Sequence, residues 1–175
     1  SFDLAGLQGA VFQLLNFTLI AGGLFVLVRF LNLRLASVDL IALGGLARSM
    51  PLLSACFFFL SLASLGVPGT SGFPAEFLLL MSALRAHLGA GILALLTMVL
   101  AAAYVLDSYR RACFGPPGHS AIAAVADLRP RELGVALAFC LPVLVLGIWP
   151  GLVLEPLDAV GQQWVARLTQ FSLGS

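Results

Sequence analysis

Lysine is absent from this 175-residue chain, and charged residues of every kind make up only 10% of it. The formal net charge is +1. That balance offers no basic face to nucleic acid and no charge excess to draw an acidic substrate. Cysteine is scarce: Cys56, Cys113 and Cys140 stand alone in apolar surroundings, and no CxxC spacing occurs. Metal binding, Fe–S ligation and dithiol redox chemistry therefore have no motif to rest on, and the thiols read as buried packing groups. Nucleotide-binding glycine loops, HExxH, a nucleophile elbow and a haem-attachment pattern are missing too. Both histidines, His87 and His119, fall in connecting segments, so no Ser-His-Asp arrangement can be argued. No charged n-region precedes Ala10, so no signal peptide is visible, and the chain reads as the C-terminal portion of something longer.

What is present is apolar. Hydrophobic residues reach 61% and the mean hydropathy is +1.06. Soluble domains run near about 45–50% apolar with about 25% charged, so the composition indicates an all-α integral membrane protein in a lipid bilayer. The hydrophobic runs predict four transmembrane helices in one membrane domain, residues 1–175. They cover about 6–30, 52–84, 89–111 and 132–148, and an amphipathic tail follows over 154–171. Gln13, Asn16 and Thr18 are the polar interior groups of the first span, a pattern that usually means hydrogen bonds to a neighbouring helix. A connector from Leu31 to Pro51 is expected along the interface. Gly91, Ala94, Ala101, Ala102 and Ala103 suggest a tightly packed inner helix for the third span. Asp107, with Arg110 and Arg111 at i+3 and i+4, reads as an ion pair at the membrane boundary.

The second span cannot be one helix. From Leu52 to Leu84 it would measure roughly 50 Å, against a hydrocarbon core of about 30 Å. Its middle, SLASLGVPGTSGFPAEF (Ser61–Phe77), holds Gly66, Pro68, Gly69, Gly72 and Pro74. These remove helix propensity and amide donors, so the helix is expected to break near 66–74. Broken backbone at membrane depth survives only against protein or a water-filled cavity, and such discontinuous spans mark ion pathways in transporters. Glu76 stands beside the break. A carboxylate at that depth is costly to bury, which makes it the candidate proton-pathway residue; a satisfied structural glutamate is the plainer alternative.

Four spans put both ends of the chain on one side of the membrane. Arg29, Arg34, Arg48, Arg110, Arg111, Arg129 and Arg131 all fall on the opposite side. The positive-inside rule then turns the arginine-rich loops to the cytoplasm of a bacterium or the matrix of a mitochondrion, in the inner membrane.

The Ser61–Phe77 motif resembles the break in the twelfth helix of the antiporter-like subunits of respiratory complex I. GAVFQLLNFTLIAGGLFVL (Gly9–Leu27) is similar to that family's preceding helix and ALGGLARSMP (Ala42–Pro51) to its connector. AAAYVLDSYRRACFG (Ala101–Gly115) is similar to the end of the thirteenth helix. RPRELGVAL (Arg129–Leu137) with LGIWPGLVL (Leu146–Leu154) is similar to the fourteenth. The nearest type is the subunit M family of NADH–quinone oxidoreductase. The resemblance implies a proton-translocating, non-redox subunit with no cofactor or metal of its own. Its partners would be other membrane subunits and protons, and Glu76 would match the glutamate that ends the family's chain of titratable groups. Where the family carries Asn-His-Gly, this chain has Asn16-Phe17-Thr18, so that histidine is replaced by Phe17. A cation/proton antiporter, a hydrogenase or ion-uptake subunit of the same superfamily, or a non-conducting structural subunit are the alternatives.

Overall fold

The computed structural model describes residues 4–35, 45–114 and 126–158. Six helices follow in order: α1 (Leu4–Leu35), α2 (Leu46–Ser49), α3 (Pro51–Ala63), α4 (Gly72–Ala86), α5 (Leu88–Phe114) and α6 (Pro130–Ile148). A helical stretch, 151–158, comes after them. α1, α5 and α6 are each long and apolar enough to cross a membrane. α3 and α4, of 13 and 15 residues, are not. Each measures about 20 Å, short of a hydrocarbon core of about 30 Å.

Small residues on α1 show how the two halves sit. A Cβ on Gly6 would meet Ser82, one on Gly9 would meet Leu78 and Leu79, and one on Gly23 would meet Leu60. Partner numbers fall from 82 to 60 as those of α1 rise from 6 to 23. α3 and α4 therefore run end to end, antiparallel to α1, and together make the fourth crossing. Glycine at those positions lets the backbones approach closely, which is how helices associate where lipid is as apolar as leucine. α6 packs on the same pair: a Cβ on Gly22 or Gly23 would meet Phe139, and one on Gly147 would meet the backbone of Gly69 and Thr70. The buried core lies between α1, α3 and α6, with Leu27, Leu60 and Val143 wholly inside.

Several expectations change in detail. α1 runs on to Leu35, so the connector expected from Leu31 begins later; residues 36–44 lie outside the described residues. The extension has a cause. Arg34 forms an ion pair with Glu132 and also donates to Phe30 O at 3.0 Å and Ala126 O at 3.1 Å, which anchors the last turn. α5 is not an inner helix in this bundle. Gly91 packs against Leu84 and Tyr109 packs among the aromatics of α3, but between them Ala101 and Ala103 are exposed and Ala94 and Ala102 only half-buried. Small side chains there leave space against α3 and α4 instead of closing a seam. Of the expected tail over 154–171, residues to 158 are described, and they continue the stretch that begins at 151.

The seven arginines named above lie at one end of the bundle, where α1 and α5 finish and α3 and α6 begin. Asp127 organises that end. Its carboxylate accepts the Leu52 and Leu53 amides at 2.8 and 3.2 Å, so it caps α3 from the segment that leads into α6. Those amides have no partner within their own helix, and a carboxylate suits the positive end of a helix dipole.

Candidate functional site

The break spans Ser64 to Ser71, and the sequence there determines its path. Pro68 has no amide to give, while Gly66 (φ +62°) and Gly69 (φ +94°) take left-handed conformations that a side chain resists. The backbone closes on itself where it can. Leu65 N reaches Leu62 O at 3.1 Å, Gly66 N reaches Ala63 O at 3.2 Å, and Thr70 N reaches Val67 O at 3.1 Å. Neighbouring helices meet the rest: Ser71 N donates to Val143 O of α6 at 2.9 Å, and Ser71 Oγ donates to Asn16 Oδ1 of α1 at 2.6 Å. Protein therefore surrounds the broken backbone on the α1 and α6 side, as the absence of bulk water at that depth requires.

The helix resumes at Gly72, so Gly72 and Pro74 belong to the first turn of α4 and only Gly66, Pro68 and Gly69 to the break proper. Proline is tolerated there because a first-turn amide has no helical partner to lose. Gly72 abuts Ala63 O and Gly66. Residues i and i+4 share a helix face, so Glu76 projects the same way. Its carboxylate rests directly against Gly66, in space that a Cβ on that residue would occupy.

On the α5 side the packing opens. Ser64, Leu65, Glu76, Thr97, Met98 and Ala101 line a pocket of about 200 Å³. Glu76 is half-buried in its wall, and it makes no hydrogen bond or ion pair among the described residues. Three lining side chains carry oxygen: Ser64, Thr97 and Glu76. Ser64 Oγ gives its proton to Ser61 O at 2.7 Å, and Thr97 Oγ1 gives its own to Ala94 O at 2.7 Å. Both hydroxyls thus turn acceptor lone pairs toward whatever enters. Glu76 is the one lining group able to change its charge. The arrangement can hold a few waters beside a carboxylate that forms no ion pair among the described residues, which suits taking up and releasing a proton.

Other candidate residues lie elsewhere. Asp107 accepts from Arg110 at 3.1 Å and from Arg111 at 2.7 Å in an exposed cluster near the end of α5. Pairs of that kind contribute little stability. Phe17, where the resemblance leads one to expect a histidine, is 66% exposed and projects off the described bundle. Its neighbour Asn16, 2% exposed, is the residue of α1 that reaches the break. Thr97 gave no signal in the sequence beyond being a hydroxyl in an apolar span. Arg34 and Asp127 showed only as charges in connecting segments, and Glu132 only as the start of the fourth span. No group of three or more metal-ligating side chains occurs among the described residues.

Comparison with known proteins places this geometry in context. Residues 3–101 match the family model described as "NADH:quinone oxidoreductase/Mrp antiporter, TM". NADH-quinone oxidoreductase subunit M of Rhodobacter capsulatus is 35% identical over 94% of this chain and 31% of its own length. NADH-ubiquinone oxidoreductase chain 4 of Marchantia polymorpha is 36% identical over 89% of this chain and 31% of its own. Among solved structures, respiratory complex I from Thermus thermophilus with bound NADH contains a chain that superposes with a TM-score of 0.85. That chain is 34% identical, and the match covers 91% of this chain and 33% of that one. A chain of the Mrp complex from Dietzia sp. DQ12-45-1b gives a TM-score of 0.80 at 21% identity, over 91% of this chain and 38% of its own, a likeness of fold. The chain spans about a third of the length of the curated relatives it matches. Matched over more than half its residues, in the segment that contains the broken helix, this membrane-embedded chain belongs to the NADH:quinone oxidoreductase/Mrp antiporter transmembrane family.

Proposed function

We propose that this chain is the C-terminal part of a subunit M-type component of an NADH–quinone oxidoreductase, and that it takes part in moving protons across the membrane. Glu76 is the group that takes up and releases them. The observation that carries this is the carboxylate itself: half-buried at the helix break, without a partner among the described residues, and in the wall of a pocket of about 200 Å³. An ionisable group in a membrane span is normally paired or functional, and a discontinuous helix is where such groups meet water. The relatives at 35 and 36% identity are subunits of NADH:quinone and NADH:ubiquinone oxidoreductases, which supports membrane-subunit partners for this chain. Quinone chemistry belongs to other subunits, and coupling reaches this one through conformation and charge. The arginine-rich end faces the cytoplasm or the matrix.

Glu76→Gln keeps the shape of the side chain and removes its titration. In vesicles carrying the assembled complex, it should lower protons moved per electron pair while leaving the amount of complex unchanged. Wild-type stoichiometry in that variant would reduce Glu76 to a structural group and favour a non-conducting subunit. Repeating the measurement with and without sodium separates proton pumping from cation/proton exchange.

A further inference from the structure

Ser71 stands immediately before α4, where a serine ordinarily caps a helix with its hydroxyl. It makes no such cap. Fully buried, it donates the hydroxyl to Asn16 Oδ1 at 2.6 Å, across 55 residues of sequence, and its amide to Val143 O at 2.9 Å. Asn16 is the matching oddity: a primary amide, 2% exposed, midway along an apolar helix. Its other contact, Nδ2 to Gln13 Oε1, is 3.5 Å long, at the outer limit of a hydrogen bond. A buried amide costs free energy unless it is bonded, so the position is held by its tie to Ser71. Asn16 is not a step in a polar line along α1. Phe12, wholly buried on the same stripe, separates it from Gln8 and the Asp158 to which Gln8 donates.

Apart from the Ser71 amide on Val143 O and the packing of Gly72 on Ala63 and Gly66, the first turn of α4 has few polar restraints. Pro74 has no amide, and Phe73 N bonds only to Thr70 O within the break itself. Gly72 and Glu76 share the face turned to Gly66, so a rotation or slide of this turn moves the carboxylate relative to the pocket. We propose that Asn16 is a positioning residue for Glu76. By gripping Ser71 it fixes the height and rotation of the first turn of α4, and with them the place of the carboxylate against Gly66. The functional consequence rests on the reading that Glu76 relays protons; the positioning itself does not.

The test uses the assembled complex with Asn16→Leu, Ser71→Ala and the pair combined. Two quantities are read per assembled complex: the rate at which the lipid-soluble reagent dicyclohexylcarbodiimide labels Glu76, and the pH profile of proton translocation. Each single change should alter the labelling rate about fivefold, the factor carried by one ordinary buried hydrogen bond. Each should also displace the pH profile, and the pair should do no more than either alone, because the two residues act through one bond. Wild-type labelling and an unmoved profile in both single variants, whatever the yield of complex, would overturn the proposal. Additive effects of the pair would overturn it too. Should Asn16→Leu fail to assemble, Ser71→Ala removes a single oxygen and carries the test alone. A Glu76→Gln variant that translocates normally would end the relay reading, while labelling of Glu76 in the Asn16 and Ser71 variants would still report its placement.

Discussion

Replacing Gly66 by alanine puts a methyl group where the Glu76 carboxylate now lies. Two costs follow, and a second glycine separates them. Gly66 has φ +62° and Gly69 has φ +94°, so alanine at either is forced into a left-handed conformation. That strain amounts to about 1–2 kcal/mol. At Gly69 it is the whole effect, since a Cβ there would have nothing within 4 Å. At Gly66 the new Cβ would also overlap a Glu76 carboxylate oxygen and lie 2.9 Å from Glu76 Cδ. The carboxylate can escape only by swinging toward the pocket of about 200 Å³, through a change of rotamer. An off-rotamer side chain or an overpacked contact adds about 1–3 kcal/mol. Gly66→Ala should therefore destabilise the assembled complex by about 2–5 kcal/mol and Gly69→Ala by about 1–2 kcal/mol. Only the first should change how fast dicyclohexylcarbodiimide labels Glu76. Thermal unfolding of purified complex gives the stability, and mass spectrometry of labelled peptide gives the rate. Equal destabilisation with equal labelling would refute the placement of the carboxylate against Gly66.

Arg34→Met leaves Glu132 with the Arg129 amide as its one hydrogen-bond donor among the described residues. Because both side chains keep some exposure, the loss should be about 2 kcal/mol, below the 3–5 kcal/mol of a fully buried pair, and Arg34→Met with Glu132→Leu should recover part of it in thermal unfolding. Single cysteines introduced at Ala126 and His87, both exposed and at opposite ends of the bundle, should react with a membrane-impermeant maleimide from opposite sides of sealed vesicles. The His87 site should react from the outer face; the three native cysteines are buried and stay silent, and labelling of Ala126→Cys from outside would reverse the orientation.

The broken span was readable because its cause is local. Gly66, Pro68 and Gly69 act on their own backbone whatever surrounds them, so composition alone locates the interruption and Glu76 beside it. The exact restart was not readable, because Pro74 can end a helix or sit in its first turn, and packing of Gly72 against Ala63 selects the second. Contacts far apart in sequence were invisible for a different reason. Arg34 meets Glu132 across 98 residues, and Asn16 meets Ser71 across 55. No periodicity records such a pairing. Asn16 could be singled out as a polar group in an apolar helix, but its partner appears only when α1 lies along the break. The periphery of α5 misled for a similar reason: small residues permit close packing without requiring it.

The tie between Ser71 and Val143 bears on how the protein is made. α6 begins at residue 130, so its carbonyls leave the ribosome well after the break has entered the membrane. Until then the Ser71 amide and the backbone of Gly69 and Thr70 lack the helix that covers them. The nascent span must wait with part of its main chain hydrated, or held by the insertion machinery, and α1 can close only one flank. A chain stalled before α6 would thus present an open helix break in the bilayer, the kind of defect that membrane quality-control proteases can recognise. Within this part of the protein, α6 would then act as the checkpoint for the broken crossing.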